Sequence, residues 1–381
     1  MLIIKGYNDI SNIIGGLTME ENLILNKLRD DYKENIETFY NLKKFMKVYN
    51  PWTDKEIEKL SEDFIGALEN GNDFSWLQVD KDLYDDLKKS KGKDLSIDYG
   101  IPSHIRGDID KGTLFLCLVN PNIDTRVAMS EALNARKAKE NLNLKDYIKD
   151  YIINTDSKGG IFYMELENLL SNKDEDPGYY LREYFNLILS AYSKNKDVKS
   201  KINSVDKLCK ILKDEKLRKK FQKEIQDIKE MSSKIVNLEC FPFRSSNPGF
   251  ATKEEDSKSR FANKLVSSDS KVSLLSARVI IWKIVEYLSN ENKTKPVFIF
   301  RRFNQAWYPS IKNVLTKDLK FTSAESERII NIFHNEFFLT MRKKDHKNNS
   351  GLDRGLYKDD KKIEPVEKIY EIIGNAIKGE T

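Results

Sequence analysis

Cysteine is scarce in this chain. Its three copies in 381 residues, Cys117, Cys209 and Cys240, form no CxxC pair and no metal-ligand spacing. A disulfide framework and a zinc-thiolate centre are therefore not indicated. Cys117 and Cys240 lie inside apolar runs, where a thiol behaves as a small buried hydrophobe. Histidine is equally rare. His104, His334 and His346 are scattered, and no HExxH signature exists. No apolar run reaches the ~18 residues that a membrane helix needs. The N-terminal stretch MLIIKGYNDISNIIGG is apolar but short, and it lacks the charged-then-apolar-then-small pattern of a cleaved leader. No internal repeat and no low-complexity tract is visible. These absences point to a protein of the reducing cytoplasm, with no membrane partner and no signalled cofactor.

A large excess of one charge is also lacking. Sixty-five basic and 60 acidic residues leave a net charge of +5, a mild bias toward anionic partners that is far from histone-like. What the chain does have is charge of both signs, 33% of its residues, with a mean hydropathy of -0.59. Much of it must be solvated helix surface. With 39% hydrophobic residues it can still bury a sizeable core, as one α/β domain with insertions or as two domains.

Residues 1–95 read as a helical N-terminal cap. Leu23, Leu25, Leu28, Tyr32, Ile36, Phe39 and Phe45 recur at three- and four-residue steps, and Pro51-Trp52-Thr53 opens a second helical unit. Beyond residue 96 the texture changes. Four apolar runs, at 113–120, 235–243, 297–300 and 336–341, are separated by helical stretches at 126–153, 179–232, 272–289 and 322–334. Runs that are apolar on both faces read as buried parallel strands, and strand–helix alternation makes a parallel sheet with right-handed crossovers. The expected fold is α/β: a four-stranded parallel sheet flanked by helices, spanning 96–381, with a long helical insertion at about 126–232. Residues 244–270 and 343–360 read as loops.

Ligands of open parallel sheets bind beyond the carboxyl ends of the strands, so the residues that end the four runs are the ones to inspect. The second run is the most informative. By period-two alternation, Asn237, Glu239 and Phe241 share one face. A carboxylate and an amide inside an apolar strand are costly unless paired. A ligand or water can meet that need, and so can a structural hydrogen bond to Glu239 from Arg244, Arg301 or Arg302. Trp307, after the third run, reads as core or as stacking surface.

At this point a resemblance enters. Asn120-Pro121-Asn122 after an apolar strand resembles the water-activating motif of the uracil-DNA glycosylase superfamily. The segment from Val236 to Ser245 is similar to the second-strand segment of its mismatch-specific branch and of uncharacterised bacterial relatives. Arg302 with Trp307 resembles a later segment, and Asn349-Ser350-Gly351-Leu352 resembles the loop that enters the DNA minor groove. Together these motifs cover roughly residues 100–355 in the family's order. The resemblance departs at Asn122, where the family prefers Gly, at Asn349, where it has Pro, and in the long insertion.

The resemblance implies a DNA glycosylase that excises a modified or damaged base, in repair or in antiviral defence. Asn120, Asp124 and Glu239 are then the candidate catalytic groups, with Asn120 orienting water and a carboxylate from Asp124 or Glu239. Asn237, Phe241 and Phe243 are candidates for base binding, by edge reading and stacking. Arg244, Ser245, Arg302, Asn349, Ser350 and Leu352 are candidates for DNA contact, with Leu352 as wedge. The alternative is a non-catalytic module on the same fold that binds nucleic acid, or a protein partner through the N-terminal cap. A nucleosidase acting on free nucleosides is a third possibility.

Overall fold

In the computed structural model the described residues are 10–35, 41–87, 100–122, 125–172, 176–194, 202–245, 250, 261–290, 292–341, 352–354 and 365–379. Seven strands occur: β1 (Ile105–Arg106), β2 (Leu114–Leu118), β3 (Ile153–Asn154), β4 (Ile235–Glu239), β5 (Val297–Phe300), β6 (Phe338–Met341) and β7 (Leu352–Arg354). They form one sheet in the order β3-β1-β4-β2-β5-β6-β7. The four apolar runs supply β4, β2, β5 and β6, which are neighbours and run parallel. The sheet as a whole is larger than expected, and mixed. β1 is antiparallel to β4, and β7 is antiparallel to β6. β1 and β3 are two residues long, too short to produce any alternation in sequence.

The apolar runs form strands because both of their faces are covered. All five residues of β2 are buried, and so are all of β4 and β5. Side chains alternate between two apolar layers. Phe115, Cys117, Val236, Leu238, Phe298, Phe300 and Phe338 enter one layer. Leu114, Leu116, Leu118, Ile235, Val297, Ile299 and Leu339 enter the other.

The first layer is completed by the N-terminal helices and by the Lys271–Leu288 helix. Trp52, Phe64, Trp76 and Trp282 all join it. Residues of the expected cap thus share one core with the sheet. The second layer is completed by helices between residues 161 and 232 and by the C-terminal Val366–Lys378 helix. The insertion therefore serves both faces, because its first two helices, Thr125–Glu140 and Leu144–Ile152, bring Ala135, Ile148 and Ile152 to the first layer.

Local signals place the helix ends. Thr53 accepts from the Glu56 amide and starts Asp54–Asn70, which Gly71 ends at φ 70°. A reciprocal Thr322–Glu325 capping box starts Ser323–Glu336. Ser270 caps Lys271–Leu288. The stretch expected as a loop from 244 to 270 contains a seven-residue helix, Phe261–Ser267, whose Phe261, Ala262, Leu265 and Val266 are buried. The fourth run also begins later than expected. Glu336 closes the preceding helix, and β6 starts at Phe338. Gly107 holds a crossing point, with φ 112° and a position where a Cβ would lie 2.8 Å from the Ile235 carbonyl oxygen. Among the described residues no helix is long and apolar enough to cross a membrane.

Candidate functional site

Chain order and strand order together locate a topological switch point. From β2 the chain moves to one side to form β4, then crosses back to form β5 and β6 on the other. The reversal falls between β2 and β5, and in doubly wound sheets ligands settle at such a switch point, beyond the strand ends. Asn120 and Arg301 follow those two strands. The β2 and β4 exits are tied together there. Asn120 Nδ2 donates to the carbonyls of Pro121, Phe243 and Ser245 at 3.1, 3.2 and 3.2 Å, and the Ser245 amide donates to Pro121 O at 3.1 Å. The Asn-Pro and Phe-Pro-Phe-Arg corners thus meet at one rim.

Below that rim lies an uncompensated polar pair. Asn237 and Glu239 are each 0% exposed. Asn237 Nδ2 donates to Glu239 Oε1 at 3.1 Å. The remaining oxygens, Asn237 Oδ1 and Glu239 Oε2, are buried without a hydrogen-bond partner. Burial raises the Glu239 carboxyl from 4.5 to about 8, against the pull of Asn237, the cationic Arg244 and Arg301, and Tyr180. Burial thus favours the protonated form of the Glu239 carboxyl. Beside Tyr180, the pair keeps hydrogen-bonding capacity of the kind that a ligand or a water satisfies.

The walls come from elements that the sequence did not single out. Arg106 on β1 pairs with Asn237 across the antiparallel ladder. Its guanidinium donates to Gly159 O and Tyr151 O at 3.1 and 3.2 Å. The Tyr151 ring has two guanidinium groups near it, Arg106 at 5.9 Å and Arg244 at 5.6 Å from its centroid. Tyr180 hydrogen-bonds Glu239, Tyr184 lies within its electrostatic reach, and Arg301 Nη1 donates to Tyr184 Oη at 3.3 Å.

Two π-helical turns flank these groups, Leu181–Phe185 and Phe303–Trp307, a feature frequent at functional sites. Between β5 and the second turn, Arg302 adopts a left-handed conformation at φ 53° and ψ 46°, a strained setting for a residue with a Cβ.

The other candidates divide sharply. Phe241 and Phe243, each 1% exposed, belong to the first apolar layer and expose no face for a base to stack on. Regular alternation stops with β4 at Glu239, so Phe241 does not share that residue's face. Arg244 was expected on a phosphate, yet it is buried. It pairs with Glu131 at 2.6 Å and donates to Ile101 O at 2.7 Å and Asn122 O at 2.6 Å. Ser245 is 3% exposed. Arg302 is exposed at the rim. Trp307 is fully buried against Phe300, with ring centroids 5.4 Å apart.

Asp124, Asn349 and Ser350 lie outside the described residues. The backbone of Leu352 pairs with Met341 at the sheet edge, four strands from β4, roughly 19 Å at ~4.8 Å per strand. The cysteines are poor nucleophiles here. Burial pushes the Cys240 thiol up to about 12 and Cys117 well above its ordinary value. Among the described residues no group of three or more His, Cys, Asp or Glu is placed to hold a metal ion. No protein-family model, curated protein or solved structure matches the chain.

Proposed function

We propose that the chain is a DNA glycosylase that cleaves the N-glycosidic bond of a modified or damaged base, with Glu239 as proton donor to the leaving base. The observation that carries this reading is the buried Asn237–Glu239 pair. It lies in the C-terminal half of β4, with Tyr180, Arg244 and Arg301 near Glu239. Glycosidic cleavage develops negative charge on the base and positive charge on the sugar. As the C1′–N bond breaks, the base takes the bonding electrons and the Glu239 proton. Water then adds to C1′, and its released proton restores the Glu239 carboxyl. Asn237, with one donor and one free acceptor, reads the edge of an extruded base. The three Nδ2 bonds of Asn120 fix the direction of its Oδ1, the acceptor that an attacking water needs.

The test is abasic-site formation on single- and double-stranded oligonucleotides carrying different modified bases. Loss of general-acid catalysis in Glu239→Gln should lower the rate by ~10²–10⁴, with folding unchanged by circular dichroism. Turnover of free nucleosides in place of DNA would shift the assignment to a nucleosidase. A second reading, a non-catalytic binding module, has its own support. Phe241, Phe243 and Arg244 are committed to the interior, while Met19 and Leu23 stand 82% and 60% exposed one turn apart on the Met19–Asn35 helix. Binding of DNA or protein without abasic product on any substrate selects that reading.

A further inference from the structure

We infer that Arg301, with the hydroxyls of Tyr184 and Tyr179, forms an anion subsite at the β2/β5 switch point, one that takes the phosphate of the nucleotide whose base reaches Asn237 and Glu239. The inference rests on the base-binding reading of that pair.

Its first support is register. Leu118 pairs with Glu239 on one side, and on the other Cys117 pairs with Phe300 while the Arg301 amide donates to Cys117 O at 2.9 Å. Arg301 therefore follows β5 at the level of Leu118. Its bond to Tyr184, which packs in the same layer as Leu118 and Ile299, places its guanidinium on that side of the sheet. Two strand spacings separate it from Glu239, roughly 10 Å at ~4.8 Å each. That span suits a nucleotide, with a ring edge at one end and a phosphate at the other.

The second support is what surrounds the guanidinium. The side chains that act most strongly on Arg301 are the hydroxyls of Tyr184 and Tyr179. Tyr184 is 8% exposed and Tyr179 45% exposed, so the pair spans from the interior to the surface. A guanidinium carries five donors; Tyr184 and Tyr179 each take one, which leaves donors for an anion. Tyrosine hydroxyls complete a phosphate shell without neutralising the arginine.

A third support is the floor. Asn237 Oδ1 and Glu239 Oε2 are buried with hydrogen-bonding capacity left over beside Tyr180, a polar group that a phosphate alone does not satisfy. A neutral, hydrogen-bonding ring at that end and an anion at the mouth is the chemistry of a nucleoside monophosphate unit. The unit can be free or part of a strand.

Titration calorimetry on the full chain separates the possibilities. The probes are inorganic phosphate, the four deoxynucleoside 5′-monophosphates, the corresponding nucleosides and a short single-stranded oligonucleotide. Phosphorylated forms should bind at least ~10-fold more tightly than nucleosides. Arg301→Gln should abolish that difference, and Arg301→Lys should restore part of it. Tighter binding of the strand than of any free nucleotide assigns the source as nucleic acid, and the reverse order assigns it as free nucleotide.

Nucleotide affinity that depends on Glu239 but not on Arg301 overturns the anion subsite and leaves the base-binding reading standing. Phosphate affinity that depends on Arg301 without any nucleotide affinity overturns the base-binding reading and the nucleotide assignment built on it. If no probe binds, both fall. Arg301 is exposed, and a further variant, Tyr184→Phe, probes the same subsite without changing charge.

Discussion

The Arg244 guanidinium meets the Glu131 carboxylate at 2.6 Å, with side chains only 9% and 3% exposed. Around that pair gather the Tyr151 hydroxyl, which donates to Glu131 at 2.8 Å, and the Ile101 amide, which donates to it at 2.8 Å. Burial still raises the Glu131 carboxyl despite its partner. The pair joins the exit of β4, the Thr125–Glu140 helix and the segment leading into β1, so it sets the geometry of the rim.

Removing one member should be costly. Arg244→Ala leaves a buried carboxyl without its cation and should destabilise the fold by about 3–5 kcal/mol. Glu131→Gln in the same chain should recover a large part of that loss. Urea unfolding of the two single variants and the double variant measures the coupling. Independent, additive losses would contradict the arrangement.

Stability should also depend on pH through Glu239. Its folded value of about 8 exceeds the ordinary 4.5, so the unfolded chain releases the proton first as pH rises. Stability is fully present below about 4.5 and declines up to about 8. At ~1.4 kcal/mol per decade of proton affinity, the full penalty is on the order of 5 kcal/mol. Glu239→Gln should stabilise the protein at about pH 8 and leave it little changed near pH 4.5. Unfolding midpoints at both pH values decide the matter. The same ionisation ends activity above about pH 8 if Glu239 is the proton donor.

His104 acts in the opposite sense. It is fully buried, accepts from Trp52 Nε1 at 3.2 Å, and burial lowers it from 6.5 to about 3. As pH falls below 6.5 the unfolded chain takes the proton first, and stability declines toward pH 3. Between 4.5 and 6.5 the two groups offset each other. The Glu239→Gln variant should therefore show a steeper acid-side loss than the natural chain in that window, read from the same denaturation series.

Asn120 should behave as a structural clip as well as a site residue. Loss of three donated bonds in Asn120→Ala should cost about 1–3 kcal/mol, and Asn120→Asp, which replaces the donor with an acceptor facing three carbonyls, should cost more. A variant that loses activity with unchanged stability would show that these bonds contribute little to the corner.

Phe243 offers a contrast between core and stacking roles. In the interior, Phe243→Ala should cost about 3–5 kcal/mol, whereas a stacking residue at the mouth would change ligand affinity and leave stability nearly unaltered. Thermal unfolding alongside ligand titration separates the two.

The centre of the sheet was legible because strands covered on both faces must be apolar throughout, and few other segments of this charged chain are. Asn237 and Glu239 stood out for the converse reason, as polar groups inside such a run. The partner of Arg244 was not legible. Glu131 lies far away in sequence on a helix that reads as ordinary charged surface, and only the folded rim brings the two together. Tyr180, Tyr184 and Arg106 carried no signal either, since tyrosines on helices and a two-residue strand look like any amphipathic surface. Phe241 misled because alternation was carried past the point where β4 ends.

β1 and β3 also bear on association. At two residues each, they finish one side of the sheet with a stub. So short a border offers an incoming chain almost no free amide and carbonyl groups to register against. Growth of the sheet by recruiting another copy is thereby blocked along that margin.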